Sequence, residues 1–187
     1  MTGKTERLRR ARAVLDHSLE ARRLVRITRT IRATEPTDGV VVGHGIRWIL
    51  ISRLSPDLDL DGYTALRWKH VKKVQSFDPS SLAARATMVE NGQTVPQELV
   101  DTTTTGTLLQ SVAHADRPIA VYTERDDPSR RLVGTVSHLV HKTLHLSTVD
   151  LSSAPRAEQV VVPFDMITRV DFDGRYLSGL ARATRLT

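Results

Sequence analysis

Over the first two dozen residues, Leu8, Ala11, Val14, Leu15 and Leu19 recur at steps of three and four, and Arg7, Arg9, Arg10, Arg12, Arg22 and Arg23 fill much of the space between them. That period is the signature of an amphipathic helix with one docking face and one cationic face. The period then changes. VRITRTIRA at 25–33 alternates, VVVGH at 40–44 is a β-branched run containing Gly43, and WILISRL at 48–54 is another run, with TEPTDG and GIR between them. These are strands of a meander punctuated by turn residues. YTALRW at 63–68 and VKKVQSF at 71–77 add two more, so about fifty residues contain five strands, the size of a small barrel.

The same order returns in the second half of the chain. Val42-Gly43 matches Val133-Gly134, ILIS at 49–52 matches LHLS at 144–147, and WKHVKKV at 68–74 matches FDMITRV at 164–170 with identical spacing. From the glycine to the aromatic residue is 25 positions in one copy and 30 in the other, a difference that a hairpin loop absorbs at small entropic cost. Agreement of order, spacing and residue class over three segments implies an internal duplication. The expected organisation is a basic amphipathic helix at 1–24, a first small β-barrel at 25–78, a connector at 79–116 and a second small β-barrel with a short C-terminal helix at 117–187. In the connector, Ser80 or Ser81 caps a short helix ending near Asn91-Gly92, and Thr105 caps another running through Leu108, Leu109 and Val112. YLSGLAR at 176–182 closes the chain with a helical turn or two.

A helix followed by a strand, a Gly-containing strand, a strand, a long hairpin, a strand, a one-turn link and a final strand resembles the Sm-like and broader SH3-like small barrels. The resemblance covers residues 5–77 and again about 117–172. It implies a mainly β fold of two five-stranded barrels, and families of this kind include RNA-binding rings, ribosome-assembly modules and protein-interaction domains. No Asp-x-x-x-Asn follows Gly43 and no Arg-Gly follows the fourth strand, so the uridine-binding site of Sm proteins does not carry over.

Charge alters this picture by its placement. The net charge is +6, yet residues 1–34 hold ten Lys/Arg against three Asp/Glu, leaving 35–187 with seventeen against eighteen. The cationic character belongs to the N-terminal segment. The chain has no cysteine, which excludes disulfides and thiol chemistry and suits a reducing compartment. The N-terminus lacks the uninterrupted apolar core of a secretory signal and no segment has the apolar length of a membrane span, so a cytoplasmic location without membrane embedding is expected.

Several motifs spell chemistry that their context denies. SPDLDLDG at 55–62 contains the first half of a calcium loop, but the twelfth position counted from Asp57 is Trp68 rather than an acidic ligand, and strands flank the loop where helices are required. Asp57, Asp59 and Asp61 are then hairpin residues that keep the loop solvated. Gly3-Lys4-Thr5 lacks the strand and upstream glycine of a phosphate loop, and Gly43-His44-Gly45 is too short for a dinucleotide fingerprint. His138, His141 and His145 fall within eight residues; with a hairpin turn at 140–143, His138 and His145 become cross-strand neighbours and His141 sits at the tip, a set read as solvent-facing strand residues rather than a metal site. No nucleophile and base are marked as a pair, so neither an enzyme nor a cofactor or metal is expected.

Binding surfaces remain. RWKHVKK at 67–73 sets Trp68 among cations, a composition that suits stacking on bases with neutralisation of phosphates; the copy keeps the ring as Phe164 without the charges, which favours a packing role for Trp68 and leaves the lysines as contacts. The candidate nucleic-acid contacts are Arg9, Arg10, Arg12, Arg22, Arg23, Lys69, Lys72 and Lys73. The near-neutral barrels favour a non-catalytic module for protein interaction or assembly, with a protein partner or self-association through exposed edge strands. RNA or single-stranded nucleic-acid binding through the arginine helix and the 69–73 ridge is the alternative.

Overall fold

The computed structural model describes residues 2–78, 100–113, 117–125, 127–148 and 158–184. A helix, α1 (Thr2–Glu20), precedes β1 (Leu24–Arg29), β2 (Thr37–His44), β3 (Trp48–Leu54), β4 (Leu60–Arg67), a one-turn 3-10 helix (Trp68–His70) and β5 (Val71–Ser76). A short helix, α2 (Thr105–Val112), then precedes β6 (Ile119–Tyr122), β7 (Arg131–Val140), β8 (Thr143–Thr148), β9 (Glu158–Pro163) and β10 (Arg169–Phe172), and α3 (Arg175–Thr184) ends the chain.

All ten strands join one antiparallel sheet in the order β5-β1-β2-β3-β4-β10-β6-β7-β8-β9. The expected pair of closed barrels is therefore replaced by an open sheet: β4 does not return to β5 but pairs with β10, with Leu66 opposite Arg169 and Tyr63 opposite Phe172. Two partly hydrophobic surfaces that would otherwise lie bare are joined there, and the rings of Tyr63 and Phe172 stack 5.3 Å apart across the seam.

The order of the first five strands is nevertheless repeated by the second five, β10-β6-β7-β8-β9. Their registers show which residues correspond. Gly39 lies between Val25 and Arg53, and Gly134 between Ile119 and Thr148. Three residues past each glycine the ladder slips by one, at Val42 and at Ser137. The partner of Gly134 is thus Gly39, not Gly43. A Cβ on Gly39 would stand 2.2 Å from the Ser52 carbonyl oxygen and one on Gly134 2.1 Å from that of Ser147, whereas a Cβ on Gly43 meets nothing within 4 Å. With this correction 29 positions separate Gly39 from Trp68 and 30 separate Gly134 from Phe164. The ILIS/LHLS and WKHVKKV/FDMITRV matches hold in the register, Ser52 facing Val40 as Ser147 faces Thr135, and Val74 facing Ile27 as Val170 faces Val121.

The core has two parts on opposite faces of β3 and β4. Ala11 and Leu15 of α1 pack on Val25, Ile27, Ile49, Ile51, Leu66 and Val74, the apolar face read from the helical period. On the other face, Trp48, Leu50, Tyr63 and Ala65 pack with Leu108 and Leu109 of α2 and with Leu144, Val170 and Phe172. This double burial explains why WILISRL is a continuous apolar run instead of an alternating one. The cap of α2 is Thr104, one residue before the expected Thr105: Thr104 and Thr107 form a reciprocal capping box, while Thr105 is buried and takes hydrogen bonds from Trp48 Nε1 and Arg67 Nη2. The helix expected after Ser80 or Ser81 lies outside the described residues. No helix among the described residues is long and apolar enough to cross a membrane.

Candidate functional site

The eight cations singled out from sequence are divided among five places. Arg9 and Arg10 both bond the Glu6 carboxylate, at 2.9 and 2.8 Å, and the hydrogen bonds from Arg9 and then Arg10 hold the Glu6 pKa down at about 2. Arg12 lies 4.9 Å over the Trp68 ring and donates to the Gly45 carbonyl. Arg22 and Arg23 end α1 in a Schellman turn: Arg23 N–H donates to Ser18 O, Arg22 N–H to Leu19 O, and Arg22 takes a φ of 48° where glycine is usual. Lys69 turns from its neighbours and donates to the Asp165 carbonyl at 3.3 Å.

Lys72 and Lys73 instead face α1. With Arg7, Arg10 and Glu6 they line a groove of about 450 Å³ whose floor includes Ala11, Val14 and Val74. Arg7 was not singled out from sequence, yet it stands on the same helix face one turn from Ala11, so helical spacing alone identifies it. Trp68 is buried with the α1 core, and its Nε1–H donates to Gly45 O at 3.0 Å, so it packs rather than stacks on a ligand.

The acidic loop does more than solvate a hairpin. Asp61 accepts the Arg175 N–H at 2.7 Å, capping α3 from a distant segment, and pairs with Arg53; Asp59 pairs with the Arg175 side chain. His138 and His145 are cross-strand partners whose rings stack 3.9 Å apart, and the two-residue turn at His141 and Lys142 has positive φ at both, the hairpin geometry expected. Among the described residues no three His, Asp or Glu side chains form a group able to hold a metal ion.

The two outer strands of the sheet are the remaining surfaces. Among the described residues, β5 pairs only with β1 and β9 only with β8. β9 is largely exposed, with Val161 at 52%. Comparison with protein-family models, with curated proteins and with solved structures finds no match for this chain.

Proposed function

We propose that this chain is a non-catalytic binding module for protein interaction or assembly, built from two duplicated units of one helix and five strands that resemble Sm-like and SH3-like small barrels, and that it binds by adding strands at the two ends of its sheet. One observation carries the reading: β4 of the first unit pairs with β10 of the second, and the equivalents of those two strands, β9 and β5, are the ones left at the edges. An exposed edge is a template for another strand unless it is charged or covered. β9 holds Val160, Val161 and Val162 in succession, with Glu158 and Pro163 only at its ends. Transferring the β4–β10 register to β9 and β5 puts Val74 opposite Val161 and Lys73 opposite Val162.

The test is a labelled peptide of residues 71–77 titrated against the protein, together with sedimentation over a wide concentration range. Binding of the peptide, weakened by Val161→Lys on the exposed edge, supports strand addition. A protein that stays monomeric throughout and ignores the peptide refutes it.

The groove between α1 and β5 favours a second reading, RNA or single-stranded nucleic-acid binding. Arg7, Arg10, Lys72 and Lys73 outnumber Glu6 there, although among the described residues no aromatic side chain lines the groove to stack a base. Affinity for single-stranded RNA would fall steeply with salt, and the Arg10→Gln, Lys72→Gln, Lys73→Gln triple variant would flatten that slope. Absence of binding at low salt removes this reading and leaves strand addition untouched.

A further inference from the structure

A second concentration of positive charge lies away from the α1 groove, at the seam where the two sets of strands meet. Arg67 ends β4 opposite Trp48, and the Trp68 N–H donates to the Arg47 carbonyl at 3.0 Å, which brings the 47 turn beside the 3-10 helix that carries Lys69. From the other side, the Arg67 N–H donates to Thr168 O, and the Glu124 N–H to Thr168 Oγ1, which brings Arg125 to the same place. Four cations from three segments converge there.

Their surroundings are unusual for clustered cations. Among the described residues, no carboxylate oxygen lies within 4.0 Å of the charged nitrogens of Arg47, Arg67, Lys69 or Arg125. Arg67 is buried and gives its hydrogen bonds to neutral acceptors, the Phe164 and Asp165 carbonyls and the Thr105 hydroxyl, with its guanidinium 5.2 Å over the Trp48 ring. A buried guanidinium normally faces a carboxylate because desolvating an unpaired charge is costly. Here its position is fixed, its pKa is lowered by burial and by Arg47 and Arg125, and Asp165 offsets only part of that effect. Lys69 is held in the same way by the Asp165 carbonyl, and Arg47 and Arg125 are exposed.

The titrating groups report the same unbalanced potential. The Lys69 pKa is lowered by burial, then by Arg67 and Arg125; Asp165 opposes them, and Arg47 adds a smaller lowering. His70, neighbouring them with its Nε2 buried and unpartnered, is pushed from 6.5 to about 4 by burial and by Lys69, Arg67, Arg125 and Arg29.

We infer that Arg47, Lys69 and Arg125, with Arg67 fixed behind them, form a binding site for a phosphate-class oxyanion at the seam between β4 and β10. Lys69 supplies a point charge and the two exposed arginines supply forked donors suited to tetrahedral oxyanions. Arg67, its donors already engaged, contributes field rather than contact. Site and groove share no residue, so this inference depends on neither strand addition nor the groove, although it takes Lys69 from the 69–73 ridge.

The test follows the His70 ring by NMR, assigned with a His70→Asn variant, while inorganic phosphate or pyrophosphate is added against chloride at matched ionic strength. A bound anion offsets the cations that depress His70, so its pKa is expected to rise by about one unit, a tenfold gain in proton affinity. The Arg47→Gln, Arg125→Gln double variant changes exposed side chains and is expected to weaken pyrophosphate binding about tenfold or more. An arm with a short single-stranded oligoribonucleotide separates the sources of the phosphate: displacement of pyrophosphate by the oligonucleotide points to a phosphodiester backbone, and failure to displace it points to a free phosphate compound. A His70 titration that phosphate and pyrophosphate move no further than chloride does, or a double variant that binds pyrophosphate as tightly as the wild type, overturns the inference.

Discussion

Besides the sheet and the shared apolar core, the two sets of strands are joined by the buried pair of Arg29, at the end of β1, and Glu124, just past β6. Their side chains are 1% and 3% exposed. Arg29 Nη1 and Nη2 grip both Glu124 oxygens, the Nη2–Oε1 contact being 2.8 Å, and the Thr168 hydroxyl donates to Oε2 at 2.7 Å. Glu124→Gln keeps the shape and removes the charge, leaving the Arg29 guanidinium buried without a counter-ion. Removing one member of such a pair costs about 3–5 kcal/mol, whereas replacing both members by apolar residues of similar volume is often neutral. Urea unfolding at neutral pH resolves this: with a slope near 2 kcal/mol per molar, a loss of about 3 kcal/mol moves the midpoint down by about 1.5 M. The Arg29→Met, Glu124→Leu double variant is expected within about 1 kcal/mol of the wild type. A Glu124→Gln midpoint close to wild type, or a double variant as unstable as the single one, would refute the claim that the pair is desolvated and mutually dependent.

Arg22→Gly is expected to raise stability by about 1 kcal/mol, since the φ of 48° at the end of α1 strains any residue with a Cβ, and the thermal midpoint would rise accordingly. Gly39→Ala and Gly134→Ala are each expected to lower the melting temperature by several degrees because the new methyl meets a strand carbonyl, while Gly43→Ala, in open space, leaves it nearly unchanged; equal effects at all three would undo the corrected correspondence. His70 binds its proton less tightly folded, at about 4, than its ordinary 6.5, so below pH 6.5 the unfolded chain takes up a proton that the folded chain refuses. Stability in phosphate-free buffer therefore falls as the pH drops from about 6.5 towards 4, and His70→Gln flattens that slope.

Sequence periodicity located the elements well because each depends on local spacing. The 3.6-residue recurrence from Leu8 to Leu19 placed the buried side of α1, and the β-branched runs at 40–44 and 48–54 fell within strands, while the alternating run read at 25–33 is strand only as far as Arg29 and turns after it. The glycine correspondence failed for a steric reason. Val42-Gly43 matches Val133-Gly134 as a dipeptide, but the demand for glycine comes from the Ser52 and Ser147 carbonyls across the ladder, which spacing along one strand does not reveal. Closure was misread for a related reason: an alternating pattern states which face is buried, and it is silent on which strand completes the edge. The roles of the loop aspartates were equally hidden, because the partner of Asp59 and Asp61 is Arg175, more than a hundred residues away. Arg47 and Arg125 carried no local signal at all. They stand in turns of unremarkable composition, and only the convergence of the 47 turn and the segment after β6 on Thr168 and Trp68 gives them a common address.

The shared core changes what the repeat can mean. If the two sets of strands were independent, each would bury its own apolar face; instead Trp48, Leu50, Tyr63 and Ala65 of the first set complete the core of the second. The α1 core, by contrast, draws only on the first set. The dependence is therefore one-sided: α1 covers one face of β3 and β4, and the second set with α2 covers the other. In that arrangement β4 cannot be free to accept an outside strand, since releasing β10 would also expose Trp48 and Tyr63 to water. The junction is fixed by its core as well as by its ladder. Among the described residues nothing covers the face of β9 that carries Val161, which is 52% exposed, while Val162 faces the core. Two edges with equivalent hydrogen-bonding geometry thus differ: the inner one is sealed by apolar burial, whereas a strand added at the outer one would gain backbone hydrogen bonds and contact with Val161, since Val162 is already buried in the core.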